Sequence, residues 1–153
     1  MADIAIRPAT RADLPAIVAL LADDALGAVR EDASDPLPQA YWHAFAEIAA
    51  QPGNHLLVAE RAGAVVGCLQ LTLIPGLSRR GMKRGLVEAV RVSAACRGLE
   101  IGEALMRHAI EMSRTAGCGL VQLTSDNARP DAHRFYERLG FIASHAGFKL
   151  TLE

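Results

Sequence analysis

A run of β-branched and apolar residues ending at Val92 is followed by Arg97-Gly98-Leu99-Glu100-Ile101-Gly102 at the opening of an amphipathic stretch. A helix N-terminus carries main-chain N–H groups with no intrahelical partner and a partial positive charge, and glycines there let an anion approach the backbone. The chemistry this permits is the seating of a phosphate or diphosphate. The same pattern also fits a strand-to-helix turn that binds nothing. Two other phosphate loops are excluded, because neither GxxxxGK[ST] nor GxGxxG occurs in the chain. Cys96 lies close to the turn but has no His-plus-Asp support in the sequence, and GxSxG is absent, so no covalent intermediate is expected. His43, His55, His108, His133 and His145 lack paired ligand spacing, and Cys68, Cys96 and Cys118 lack CxxC spacing. No metal is therefore expected, and the cysteines read as reduced thiols.

The elements that would position this turn follow from periodicity. Ile4 and Ile6 alternate as a strand, and a helix with Leu14, Ile17, Val18 and Leu21 on one face follows. Thr10 with Asp13 resembles a capping box. An acidic segment (Asp23, Asp24, Glu31, Asp32, Asp35, with Pro36 and Pro38) precedes a second helix marked by Trp42, Phe45, Ile48 and Ala49 and ended by Pro52-Gly53. Residues 55–60 and 64–74 read as a hairpin around Ala62-Gly63. The basic loop 78–84 leads to a strand at about 86–92, then to a helix with Ile101, Leu105, Ala109, Met112 and Ala116 buried and Gly117 as its stop. A short strand at 120–124 follows. A helix then opens at Pro130 with Ala132, Phe135, Tyr136 and Leu139 on one stripe, and strands at Phe141-Ile142 and 148–152 close the order β-α-α-β-β-β-α-β-α-β-β. This is a mixed α/β arrangement in one domain, residues 1–153, without repeats or linkers.

Composition narrows the function classes. A chain of 153 residues, 51% hydrophobic, has room for one sizeable core. The net charge of −1 argues against bulk nucleic-acid binding. No apolar run is long enough to cross a membrane, and the N-terminus does not read as a signal peptide, so a cytoplasmic protein is expected. The charge is unevenly spread: residues 1–60 hold three basic and nine acidic side chains, and residues 61–153 hold thirteen basic and eight acidic ones. Such asymmetry fits either a polyanion held by the second part or simply a solvated surface.

Arg97 to Gly102 resembles the Arg/Gln-x-x-Gly-x-Gly/Ala motif of the GCN5-related N-acetyltransferases. The segment Ala132-His133-Arg134-Phe135-Tyr136-Glu137-Arg138-Leu139-Gly140-Phe141 resembles their A-x-x-F-Y-x-x-x-G-F motif. Ile4-Ala5-Ile6-Arg7-Pro8-Ala9-Thr10 is similar to a common opening of the family, so the likeness spans essentially the whole chain. It implies an acyl-CoA N-acyltransferase fold with a mixed, mostly antiparallel sheet of six to seven strands flanked by four helices. It also implies transfer of acetyl from acetyl-CoA to a primary amine of a small molecule. Glu100 departs from the pattern, standing where the family usually has its middle glycine and placing a carboxylate near the expected diphosphate.

The resemblance assigns roles residue by residue. The backbone of Arg97, Gly98, Leu99, Glu100, Ile101, Gly102 and Glu103 would hold the diphosphate, and the strand end at Val90, Arg91 and Val92 would pair with the pantetheine arm. Tyr136 would protonate the leaving thiolate; a phenol near pKa 10 facing a thiol near 8.5 makes that step uphill unless the site assists. An alkyl amine of pKa near 10.4 is neutral in roughly one molecule per few thousand at pH 7, so a base is needed. Glu88 is the candidate, four residues before Val92 and so expected on its face of the strand, with Val90. The N–H near Val92 would stabilise the oxyanion.

For the acceptor, the resemblance points to the first two helices and the loop between the third and fourth strands, which carry opposite charge. The acidic segment suits a cationic amine, whereas Arg79, Arg80, Lys83 and Arg84 suit one bearing a carboxylate or phosphonate. Residues 131–136 with Ser144-His145 also look like aminoalkylphosphonate acetyltransferases. A protein lysine or N-terminus, and a non-catalytic acyl-CoA-binding module, remain as alternatives. Homodimers are common among such proteins and are a possibility here.

Overall fold

The computed structural model describes residues 3–98 and 100–152. It divides into two compact units, one up to Gln122 and one from Leu123 onward. In chain order the elements are β1 (Ile4–Pro8), α1 (Leu14–Leu21), α2 (Ala25–Arg30), α3 (Gln39–Ala50), β2 (Asn54–Arg61), β3 (Ala64–Ile74), a short helical turn α4 (Ser78–Gly81), β4 (Arg84–Val92), α5 (Ile101–Thr115), β5 (Leu120–Leu123) and α6 (Pro130–Arg138). The five strands lie side by side in chain order, with β1 to β4 antiparallel. Gly119 N–H donates to Lys83 O just before both β5 and β4 begin, so these two strands set off from the same end. The sheet is therefore mixed, as expected. Among the described residues no helix is long and apolar enough to cross a membrane.

Two expectations need correction. Among the described residues the sheet has five strands, because Phe141-Ile142 and residues 148–152 form no ladder. Phe148, Leu150 and Leu152 alternate as a strand would, yet they are exposed and pair with nothing in the sheet. Among the described residues the helices number six rather than four, since α2 forms within the acidic segment and α4 within the basic loop. The hairpin turn is as read: Ala62 and Gly63 both have positive φ, 51° and 79°, matching the twist of the flanking strands.

The core has two sides. Helix α5 covers one face of β3 and β4, burying Ile101, Leu105, Met106, Ala109 and Ser113. Met106 and Ser113 replace the expected Met112 and Ala116, which are only half-buried. The approach is close enough to require glycine in the strands. A Cβ on Gly85 would lie 2.5 Å from Ser113 Oγ, and one on Gly67 would lie 3.0 Å from Leu105 Cδ1 and 3.1 Å from Ile101 Cγ2. Helix α1 covers the other face, packing Ile17 and Leu20 on Val58 and Cys68.

One ion-pair cluster ties the start of the chain to the sheet. Arg7 donates from both terminal nitrogens to Asp13, at 2.7 and 3.0 Å, and from Nε and Nη2 to Glu60 Oε2, at 2.9 and 2.7 Å. Asp13 Oδ2 also accepts from the Thr10 N–H at 2.7 Å, which realises the capping pair seen in the sequence. Held chiefly by the Arg7 hydrogen bonds, the Asp13 carboxyl is lowered to a pKa of about 2 from 3.8. A depressed carboxyl contributes stability that is complete above its unfolded pKa and disappears as pH falls through its folded value. Urea midpoints should therefore decline between about pH 4 and pH 2 by an amount worth about 2 kcal/mol, and Asp13→Asn should flatten that limb while costing similar stability at pH 7.

Candidate active site

Strand β4 carries Glu88 and the other expected site residues up to Val92, and its register is interrupted. Cys68 pairs with Arg91 and Gln70 with Glu88, so Leu69 faces two residues, Ala89 and Val90. Ala89 sits at φ 56°, a left-handed conformation, and its carbonyl accepts from the Cys68 thiol at 3.5 Å. This β-bulge inserts one residue and reverses the side-chain alternation beyond it. Glu88 consequently shares a face with Arg91, Gln70 and Cys68, whereas Val92 shares the opposite, α5-covered face with Gly67. The expectation that Glu88 and Val92 lie on one face is overturned, because an unbroken period of two does not survive the bulge.

Glu88 is exposed, directly opposite Gln70, whose amide donates to Asn54 Oδ1 at 3.0 Å. Beside these residues, a cavity of about 170 Å³ opens between the sheet and helices α1 and α3, lined in part by Leu14, Val18, Tyr41, Phe45, Gln70 and Ala89. Cys68 borders it as well, its thiol pushed up to about 12 mainly by burial, so it stays protonated and acts as packing. Because β5 has four residues and starts level with Lys83, it runs beside the first half of β4 and leaves the Val90–Val92 edge without a β5 neighbour.

Beyond β4 the chain passes through a single turn of tighter helix, Ala94–Cys96, to Arg97 and Gly98, both exposed, and then into α5. Leu99, an expected contact to the diphosphate, lies outside the described residues. The first intrahelical bond of α5 is Ala104 N–H to Glu100 O, and the Glu100 side chain does not cap the N-terminus. The N–H groups of Ile101, Gly102 and Glu103 thus have no intrahelical acceptor. Gly98, at φ 85°, has open space where a Cβ would project. Unpaired main-chain donors beside an open glycine turn are groups of the kind that a diphosphate needs. Of the two nearby carboxylates, Glu103 is turned along the helix to Arg107, 2.7 Å away, and Glu100 is exposed.

Glu100 adopts φ 62°, ψ 19°, which explains why a glycine is usual there: the residue before the helix must be left-handed. Tyr136 lies in the second unit, half-buried on α6, with its ring edge-on to Phe135 and Phe141 at centroid distances of 5.2 and 6.0 Å. The acidic segment proves largely occupied with its own structure. Asp24 caps α2 through Gly27 N–H at 2.6 Å, Glu31 accepts from the Tyr41 hydroxyl at 2.8 Å, and Asp32 accepts from Ser34 N–H at 3.0 Å. These contacts, invisible in composition, weaken the case for a cationic acceptor.

Known proteins resemble this chain in sequence and in fold. The family model described as "Acetyltransferase (GNAT) family" matches residues 16–141. A crystal structure described as a transcriptional regulator from Bacillus halodurans C-125 is 47% identical, with a TM-score of 0.96, over 98% of this chain and 100% of that one. The aminoalkylphosphonate N-acetyltransferase of Salmonella typhimurium is 36% identical over 114 residues, 74% of this chain and 73% of its own. The glucosamine 6-phosphate N-acetyltransferase of Trypanosoma brucei brucei is 37% identical over 91 residues, 59% of each chain.

Replacing Glu100 by glycine should raise stability by about 1 kcal/mol, because a left-handed non-glycine residue becomes a permitted one. Since the carboxylate is exposed, CoA affinity should rise no more than about threefold; thermal melts and calorimetric titration with CoA check both.

Proposed function

The chain belongs to the acetyltransferase (GNAT) family, and from that premise we propose that residues 1–153 work as one domain transferring acetyl from acetyl-CoA to the primary amine of a small molecule by direct attack. The single observation that carries this reading is the α5 N-terminus, with three main-chain donors lacking intrahelical acceptors and an open glycine turn before them. The family match crosses the boundary between the two compact units, which supports their acting together.

In this reading the diphosphate sits on the backbone from Arg97 to Glu103, and the pantetheine arm adds to the free edge of β4 at Val90, Arg91 and Val92. Glu88 removes a proton from the ammonium, directly or through one water, and the neutral amine attacks the thioester carbonyl. A β4 main-chain N–H near Val92 stabilises the resulting oxyanion. Collapse expels the thiolate, to which Tyr136 gives a proton. Support for Glu88 comes from its exposure on the cavity-bearing face opposite Gln70; the Tyr136 role rests on the family motif.

Both curated relatives take acceptors that combine an amine with a phosphorus oxyanion, and the local use of the acidic segment leaves the same preference here. Reduced Cys68, Cys96 and Cys118 suit a cytoplasmic setting, and exposed Phe148, Leu150 and Leu152 suit association of two copies. A second reading, an acyl-CoA-binding module with a regulatory role, is favoured by the description of the Bacillus halodurans protein.

Thiol release from acetyl-CoA with a panel of amines separates the two, since a pure binder liberates none in response to any amine. In the enzyme, Glu88→Gln should lower kcat about 100-fold near neutrality with partial recovery at alkaline pH, and Tyr136→Phe should lower kcat while leaving calorimetric CoA affinity unchanged.

A further inference from the structure

Four basic side chains lie in and after the loop between β3 and β4, and the structure separates them. Arg79 and Arg80 are exposed on the α4 turn, both at positive φ. Lys83 is engaged, its Nζ donating to Ala116 O at 3.0 Å, where it complements the C-terminal end of α5. Arg84 differs from all three. It is the first residue of β4, paired with Ile74, and it is half-buried. Its Nε is buried with no hydrogen-bond partner, and among the described residues no carboxylate pairs with it.

Register decides which face Arg84 occupies. Ile74 opposes Arg84, Thr72 opposes Leu86 and Gln70 opposes Glu88, an unbroken alternation that lies wholly before the bulge. Arg84 and Glu88 therefore share one face, about 13 Å apart at the usual rise of a strand. Asn54 and Leu56 continue that face on β2, opposite Thr72 and Gln70. The floor between the two charges is thus Leu86, Thr72 and Gln70, a short track with a cation at one end and a carboxylate at the other. A buried guanidinium donor left unpaired is costly, and a planar fork of donors matches phosphate and phosphonate oxygens.

We propose that Arg84 is the specificity residue that holds the phosphonate or phosphate group of the acceptor while its amine lies toward Glu88. This rests on the acetyltransfer reading above and assigns the anion to Arg84 alone among the four basic residues. An anion there would satisfy Nε, and the track length selects short acceptors in which amine and phosphorus oxyanion are a few bonds apart.

The test compares matched acceptor pairs, 2-aminoethylphosphonate with 3-aminopropan-1-ol and glucosamine 6-phosphate with glucosamine, for the wild type, Arg84→Gln and Arg84→Lys. The wild type should prefer the phosphorus-bearing member. In Arg84→Gln the ratio of kcat/KM within a pair should fall about 10- to 100-fold through KM, with Arg84→Lys between the two. A wild type that prefers the neutral member, or an Arg84→Gln that depresses both members equally, overturns the assignment and leaves acetyltransfer standing. If no amine releases thiol, the acetyltransfer reading fails by itself. Calorimetric titration of CoA-saturated protein with 2-aminoethylphosphonate then decides Arg84 independently: weaker binding by Arg84→Gln upholds it, and equal or absent binding by the wild type and variant overturns it.

Discussion

One extra residue in β4 governs the rest of the site. The bulge at Ala89 lets Glu88 and Arg91 share a face that a regular strand would divide between them, and it turns Val92 toward α5. Before the bulge, Arg84, Leu86 and Glu88 line the side shared with α1 and α3; after it, the backbone heads for the start of α5 along an edge that β5 does not reach. A bulge also bends the strand and increases its local twist, next to the edge where an extended ligand would add. Facing thus follows from a single irregularity, and access from the shortness of β5.

The strand can hold this shape because α5 is clamped against it. Gly67 and Gly85 remove the Cβ atoms that would collide with Leu105, Ile101 and Ser113, and Ser113 satisfies its buried hydroxyl by donating to Ala109 O at 2.8 Å. Close packing fixes where α5 begins, hence where its unpaired N–H groups point. Lys83 anchors the far end of the same helix by its bond to Ala116 O. One helix is therefore held at both ends by groups belonging to, or adjoining, β4.

Much of this was legible from residue types. Periodicity gave the order of the strands and of α1, α3, α5 and α6, though not the short α2 and α4, and the glycine-bearing turn marked the start of α5, because these signals depend on local spacing. The bulge was not legible: Ala89 is no glycine, and its left-handed backbone is imposed by pairing with β3. The roles of the charges were equally hidden. Asp24, Glu31 and Asp32 looked like a cation-binding patch until their partners Gly27, Tyr41 and Ser34 were located, and Arg84 looked equivalent to Arg79 until register put it on the Glu88 face. At the C-terminus the alternation of Phe148, Leu150 and Leu152 suggested a strand, but alternation specifies a face and does not supply a partner.

The claim on which the account turns is that CoA is seated by main-chain donors where α5 begins. Backbone amide NMR during titration with CoA addresses it directly. The account predicts large, saturable downfield shifts and slowed exchange for the amides of Ile101, Gly102 and Glu103, with smaller changes along Val90–Val92. Saturable binding that leaves those three amides unmoved, or no binding by folded protein, would contradict it.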